Sequence, residues 1–191
     1  ATKRAASVKS TFERALEAIL ARVVVCSAAP QPPATPTIAV AYSGGLDSSV
    51  LLHLAADYAQ RHLISLYALH VHHGLSPNAD AWLEHAQQQA TALSVPFDAV
   101  RIHLVRQRGE STEHLARRRR YAALGELSRQ HGVQLLLTAH HQDDQAETVL
   151  LQLFRGTGVR GLGGMLKLHR TEHLAADNVL LGRPLLECTR E

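Results

Sequence analysis

The chain has little cysteine, few aromatic side chains and no long apolar run. Two cysteines occur in 191 residues, Cys26 and Cys188, far apart and in no CxxC pair. They argue against a thiol-held metal or cluster and point to a reducing compartment, the cytoplasm. Aromatics make up 4% of the sequence, which argues against the base-stacking platforms of single-strand binders. No apolar stretch reaches the roughly 20 residues a membrane helix needs, so no membrane association is expected. Near the start, Glu13 and Glu17 break up the apolar residues that follow Lys3 and Arg4, unlike a secretory signal. Charge of one sign is also in short supply. Lys and Arg total 20 against 17 Asp and Glu, a net charge of +3. That balance permits a nucleic-acid partner without requiring one.

What is present is an ordinary globular composition, 46% hydrophobic, long enough for one domain with a real core. Residues 8–25 read as an amphipathic helix with Phe12, Leu16, Ile19 and Leu20 on one side. Residues 28–37 carry four prolines and read as a stiff linker. The chain is therefore expected to divide into 1–37, helix and linker, and 38–191, the main domain. In that domain strand and helix alternate: strand 38–42, helix 48–61, strand 64–71, helix 77–93, strand 97–104, helix 112–131, strand 135–139, helix 144–155. Such alternation predicts an α/β fold, a doubly wound, mostly parallel sheet with helices on both faces. Ligands bind such sheets at the carboxyl ends of the strands, here after Tyr42, Val71, Leu104 and Ala139. Past Arg155 the pattern fades into Gly156, Gly158, Gly161, Gly163 and Gly164. Residues 165–170 and 179–181 are expected to form a small hairpin.

Chemistry-bearing residues gather at those strand ends. Ser43-Gly44-Gly45-Leu46-Asp47-Ser48-Ser49 follows a strand and opens a helix. Glycines let the backbone approach a ligand closely, and the amides of a first helical turn suit phosphate. No Lys precedes Ser48, so this is not a Walker A loop. A plain turn with serine capping is the simpler reading; the apolar strand and helix on either side favour phosphate. His140-His141-Gln142-Asp143-Asp144-Gln145-Ala146-Glu147-Thr148 sets three acids beside two histidines at another strand end. Asp144 and Glu147 are three apart and share a face of the helix start. Capping accounts for one acid, Asp143, and leaves two for chemistry. His70-Val71-His72-His73-Gly74-Leu75 ends the second strand; without a carboxylate or thiol it does not complete a zinc site. Arg117 to Arg120 fan around a helix, so some of the four face solvent and at least one faces the sheet.

These segments, in this order, resemble the tRNA(Ile)-lysidine synthetases, of the PP-loop ATP pyrophosphatase family with its adenine nucleotide alpha hydrolase-like fold. SGGLDSS matches the SGGxDS loop. His70, Val71, His73, Gly74 and Leu75 match HVDHGLR, with His72 where Asp is common and Ser76 where Arg is common. Glu113, Ala116, Arg117, Arg120 and Tyr121 match ExxARxxRY. HHQDDQAET matches HHxDDxxET, and Arg155, Gly156, Gly158 and Gly161 continue it. Arg183-Pro184-Leu185-Leu186 matches RPLL. The likeness runs from about Ile38 to Arg190.

The resemblance implies an ATP-dependent ligase. ATP is cleaved between the α and β phosphates, and AMP passes to the C2 oxygen of the wobble cytidine in a CAU-anticodon tRNA(Ile). Free L-lysine then displaces AMP and forms lysidine. It implies that Ser43, Gly44, Gly45, Leu46, Asp47, Ser48 and Ser49 hold the nucleotide, with His72 and Gly156 also at the ATP site. His72 would meet the adenine through its backbone. Asp47, Arg120, His140, Asp144 and Glu147 are the implied catalytic residues. Mg²⁺ is implied at Asp47 and Asp144, because a carboxylate beside phosphates needs a cation. Asp144, Glu147 or His140 would deprotonate the lysine amine. Arg118 and Arg119 are expected to face solvent or tRNA phosphate. Longer members carry further tRNA-binding domains, so these residues alone are expected to hold tRNA weakly; a homodimer is compatible with the sequence. A PP-loop tRNA thiolase would call for cysteines this chain lacks. A non-catalytic ATP-binding module would not explain HHQDDQAET. A PP-loop synthetase acting on a small molecule remains open here.

Overall fold

The computed structural model describes residues 2–26, 35–72, 74, 78–102, 112–156 and 163–190. His73, Leu75, Leu104, Gly158, Gly161 and the linker between residues 27 and 34 lie outside the described residues. The elements run α1 (Thr2–Cys26), β1 (Ile38–Ala41), α2 (Leu46–His62), β2 (Leu66–His72), α3 (Ala79–Ala92), β3 (Phe97–Arg101), α4 (Thr112–Gln130), β4 (Leu135–Leu137), α5 (Gln142–Phe154), β5 (Leu168–His169) and β6 (Leu180–Gly182), with a 3-10 turn at Glu172–Leu174.

One six-stranded sheet has the order β3-β2-β1-β4-β6-β5. All pairs are parallel except β5 with β6. The expected hairpin at 165–181 exists, but it is not a separate unit. Its second strand, β6, pairs parallel with β4, Leu135 opposite Leu180 and Leu137 opposite Gly182. The hairpin therefore extends the main sheet. Strand order reverses between β1 and β4, since the chain runs outward through β2 and β3 and then returns. Such a switch point opens a crevice at the carboxyl ends of its two strands. Here those ends carry the glycine loop and the double histidine.

The sheet is buried on both sides, and its strands alternate accordingly. Ile38, Val40, Leu66, Ala68, Leu135, Leu137 and Leu180 face one core, with α1, α2 and α3 packed on it. Ala39, Leu69, Val71, Leu136 and Leu181 face the other, under α4 and the 3-10 turn. The helix α1, beyond the proline-rich linker in sequence, shares the first core through Phe12, Leu16, Ile19 and Val23. Phe12 meets Tyr58 of α2 edge to face at 6.5 Å, and Lys9 pairs with Asp57 at 2.8 Å. Gly125 of α4 lies so close to the 3-10 turn that an added Cβ would fall 1.7 Å from the Leu174 carbonyl oxygen. In contrast, α5 buries none of its side chains, and Leu150, Leu151, Leu153 and Phe154 are exposed. It is held by its first turns: Gln142 N–H donates to Cys188 O at 2.9 Å, and the Gln145 side chain brackets the Met165 backbone.

Candidate active site

A cavity of about 520 Å³ opens at the carboxyl edge of β1, β2 and β4, walled by α3 and α4. That volume is in the range that takes a nucleotide-sized ligand. Its wall includes Ser43, Gly45, Asp47 and Ser48 of the loop after β1, His72 at the end of β2, Trp82 of α3, Arg120 and Tyr121 of α4, and His140 after β4.

The loop is built to present amides. The helix α2 starts at Leu46, two residues before the expected start, with Gly45 as an extended N-cap that supplies no side-chain bond to the first turn. The first-turn N–H groups therefore have no side-chain cap, as a phosphate site requires. Gly44 has φ +81°, which a residue with a Cβ rarely adopts. The serines brace the turn from within: Ser48 and Ser49 donate to Gly45 O at 2.9 Å each, and Ser43 Oγ lies 3.0 Å from Ser48 Oγ. The early helix start puts Asp47 inside the first turn, where the helix dipole favours its charge.

On the other side of the switch point, α5 starts at Gln142, again two residues early. His141 takes the N-cap position with extended backbone (φ −121°, ψ −175°), and Asp144 accepts its backbone N–H at 2.8 Å. The capping acid is thus Asp144 and not Asp143. Because of the earlier start, Glu147 belongs to the second helical turn, is exposed and lies off the cavity wall. Asp144 is outside the wall as well, but it is tied to the loop through a side chain that the sequence did not single out. The buried His141 ring has Nδ1 3.4 Å from Asp144 and 3.8 Å from Asp143, and Nε2 3.9 Å from Asp47. Asp47 and Asp144 therefore lie on one side of the sheet, facing opposite nitrogens of one imidazole. Arg190 Nε stands 3.5 Å from the second oxygen of Asp47.

Asp47 and Asp144, both partly exposed, are the carboxylates beside the loop that could hold Mg²⁺, which takes one or two protein carboxylates and fills its shell with water and substrate phosphate. Among the described residues no group of three or more His, Cys, Asp or Glu side chains forms a metal cage.

Of the four arginines, Arg117, Arg118 and Arg119 are exposed, while Arg120 is half-buried and reaches the cavity. Arg117 and Arg120 flank Tyr121, their guanidinium carbons 5.4 and 5.7 Å from its ring centre. His70 holds β2 to β1, its Nδ1 2.8 Å from Tyr42 O; burial pushes its pKa down. His72, buried at the strand end, has Nε2 3.2 Å from Asp80, which also pairs with Arg101 at 2.6 Å. An acid from α3 thus faces His72, where the resembling family more often has Asp. Leu46, Ser49 and Gly44 lie off the cavity wall. Gly156 does too; it is exposed, and its φ of +67° fits the end of α5. Sequence reading also gave Arg183 no role. It is 5% exposed and sits beside His140, with Nε 3.4 Å from His140 Nδ1. Burial, then the positive charge of Arg183, press the His140 pKa down to about 4; Asp144 opposes that and Arg117 and Arg120 add to it.

A family model described as a PP-loop domain matches residues 9–191. The chain belongs to the PP-loop domain family. Within it, the chain is 53% identical over 152 residues to a tRNA(Ile)-lysidine synthase of Alkalilimnicola ehrlichii, covering 80% of this chain and 33% of that protein. A tRNA(Ile)-lysidine synthase of Burkholderia mallei is 51% identical over 159 residues, 83% of this chain and 31% of its own length. The chain thus spans about a third of the length of the curated relatives it matches. Among solved structures, the U34-tRNA thiolase NcsA of Methanococcus maripaludis has a TM-score of 0.70 at 22% identity, over 96% of this chain and 59% of that one. The NH3-dependent NAD synthetase of Campylobacter jejuni has a TM-score of 0.55 at 17% identity, over 96% and 69%. At these identities the two structures share the PP-loop fold and nothing finer.

Proposed function

We propose that this PP-loop domain adenylates the C2 oxygen of the wobble cytidine in a CAU-anticodon tRNA(Ile) and joins free L-lysine to it, releasing pyrophosphate and AMP. The substrates are taken from relatives about half identical to this chain, all named tRNA(Ile)-lysidine synthase. The observation that carries the reading is the placing of Asp47 and Asp144 on either side of the His141 ring, beside a helix N-terminus without a side-chain cap. The uncapped amides of α2 would take the leaving pyrophosphate portion. Arg120, reaching the cavity from α4, would take charge that builds on the α-phosphate. Asp47 and Asp144 would hold Mg²⁺, which when bound neutralises phosphate charge. A lysine ammonium must lose a proton before it attacks, and Asp144 offers a carboxylate at the rim to attract it and accept that proton.

The nucleotide part is tested at Gly45. Its backbone is extended, and a Cβ there meets only Ser43 Oγ at 3.5 Å, an ordinary contact. Valine therefore fits the fold but fills the loop mouth. Gly45→Val should weaken ATP binding at least tenfold by calorimetry, a loss of about 1.4 kcal/mol. The melting temperature should fall by only about 2–4 °C, for a cap change of about 1 kcal/mol. Unchanged ATP affinity in the folded variant rules the loop out as the phosphate site.

The whole reading is tested with labelled lysine, ATP, Mg²⁺ and a CAU-anticodon transcript. Label should enter the tRNA only when ATP is present, one AMP and one pyrophosphate per lysine. A transcript with another anticodon should take up none. Pyrophosphate release that ignores tRNA, with no label incorporated, would replace this reading by a synthetase of small molecules.

A further inference from the structure

Arg183 follows the end of β6 and is buried. Among the described residues no carboxylate pairs with it, although a buried guanidinium is costly without one. Its bonds instead run to the Leu166 carbonyl at 2.7 Å, to His169 Nδ1 at 3.1 Å and to His140 Nδ1 at 3.4 Å. A guanidinium has donors only. Each nitrogen it meets must therefore offer a lone pair. At His140, Thr138 Oγ1 lies 2.9 Å from the same Nδ1, and a hydroxyl can donate or accept, so it follows the tautomer that Arg183 sets. With Arg183 donating there, the threonine hydroxyl must donate as well. A proton on Nδ1 would point at the guanidinium N–H.

We infer that Arg183 is a positioning residue that fixes His140 as its Nε2–H tautomer, so that the ring meets a bound ligand as a hydrogen-bond donor and not as a base. Nε2 is on the far side of the ring from Arg183, and His140 lines the cavity. The groups around the ring agree. Arg117 and Arg120 of α4 and Arg183 of β6 oppose a charged imidazole, and Asp144 of α5 is the acid that favours one. His169 of β5 and Tyr121 of α4 bond Arg183 itself and add no anion. Neutral, and with its one proton on Nε2, His140 has no site left to accept a proton in a reaction. Within the adenylation reading, on which this step rests, the Nε2–H supports a phosphate oxygen. Removal of the lysine proton then falls to a carboxylate.

The test uses the full chain labelled with ¹⁵N-histidine, with His140→Gln to identify the resonances of this ring. In wild type, Nε2 should carry the proton and Nδ1 should show the shift of a bare nitrogen, both unchanged from pH 7.5 to 5.5. In Arg183→Met the ring should mix its tautomers and its pKa should rise, while Arg183→Lys, which keeps a cationic donor, restores the wild-type pattern. A proton on Nδ1 in wild type, or titration there within this range, overturns the assignment, even if Arg183→Met does not fold. Pyrophosphate release should lose at least about tenfold in kcat in Arg183→Met, with KM for ATP within about twofold. An unchanged kcat in the folded variant overturns the positioning role. A wild-type chain that incorporates no lysine would instead strike the proposed function, and the spectrum would still read the tautomer.

Discussion

Asp144→Asn is expected to abolish turnover while leaving the protein as stable as wild type. Asp144 has two tasks that can be separated. One oxygen accepts the His141 N–H and caps α5. An asparagine oxygen accepts the same bond, so Asn keeps the cap and loses only the negative charge. If capping were the whole role, Asp144→Asn would be nearly silent, and Asp144→Ala would cost about 1 kcal/mol of stability and nothing else. If the carboxylate acts on metal and substrate, both variants should lose on the order of 10³-fold in pyrophosphate release. Asp47→Ala should lose activity to a similar degree. Its contacts to Arg190 and His141, at 3.5 and 3.9 Å, are partly exposed and contribute little to the fold. Melting and pyrophosphate release should be measured on the same samples. Turnover within tenfold of wild type in Asp144→Asn would return this acid to a purely structural role.

Gly125→Ala is expected to give the largest loss of stability of any single methyl group added to this chain. The new Cβ would sit 1.7 Å from Leu174 O and 2.7 Å from Leu174 C. Those are backbone atoms and cannot rotate away. Either α4 lifts off the 3-10 turn or the turn gives up its place over the second core, where Leu174 is wholly buried. Overpacking of this severity costs about 3 kcal/mol or more. For a chain of this size that lowers the melting temperature by about 6–12 °C. Gly163→Ala is the control, since a Cβ there meets nothing within 4 Å. Because Arg120 and Tyr121 are on the same helix as Gly125, ATP affinity should fall with stability. A Gly125→Ala protein melting within 2 °C of wild type would mean that the α4–turn contact is not as close as described.

The parts legible in the sequence were those whose signals are local. Four strand-helix alternations fixed the α/β class, and the glycine loop announced itself by its own seven residues. What escaped depends on partners far apart in the chain. The β6 strand is three residues long and carries no periodicity. Its place beside β4 is set by a lack of side chain, since a Cβ on Gly182 would lie 3.0 Å from both Leu135 and Leu137. Helix starts were misjudged by two residues at both α2 and α5 for a related reason. Gly45 and His141 occupy the N-cap positions, and neither carries the short hydroxyl, carboxyl or amide side chain that marks one in a sequence. The error moved Asp47 into a first turn and Glu147 out of one. His141 was visible as part of a motif, but its position between Asp47 and Asp144 joins residues nearly a hundred apart. Arg183 is 43 residues from His140. The interior glycine of α4 is itself a local signal of close helix packing.

The place of β6 has a consequence for the order in which this protein is made. Its partner β4 precedes it by about forty residues, so their pairing closes a long loop and comes late in folding. A chain leaving the ribosome amino end first has β1 to β4 and the glycine loop available well before residues 180–190 emerge. Yet those residues supply Arg183 beside His140, the Cys188 carbonyl that anchors the first turn of α5, and Arg190 beside Asp47. The nascent chain can therefore shape a nucleotide pocket some time before it can arm it. The short strand that brings these residues joins after β1 to β4, and only then can β5 pair with it.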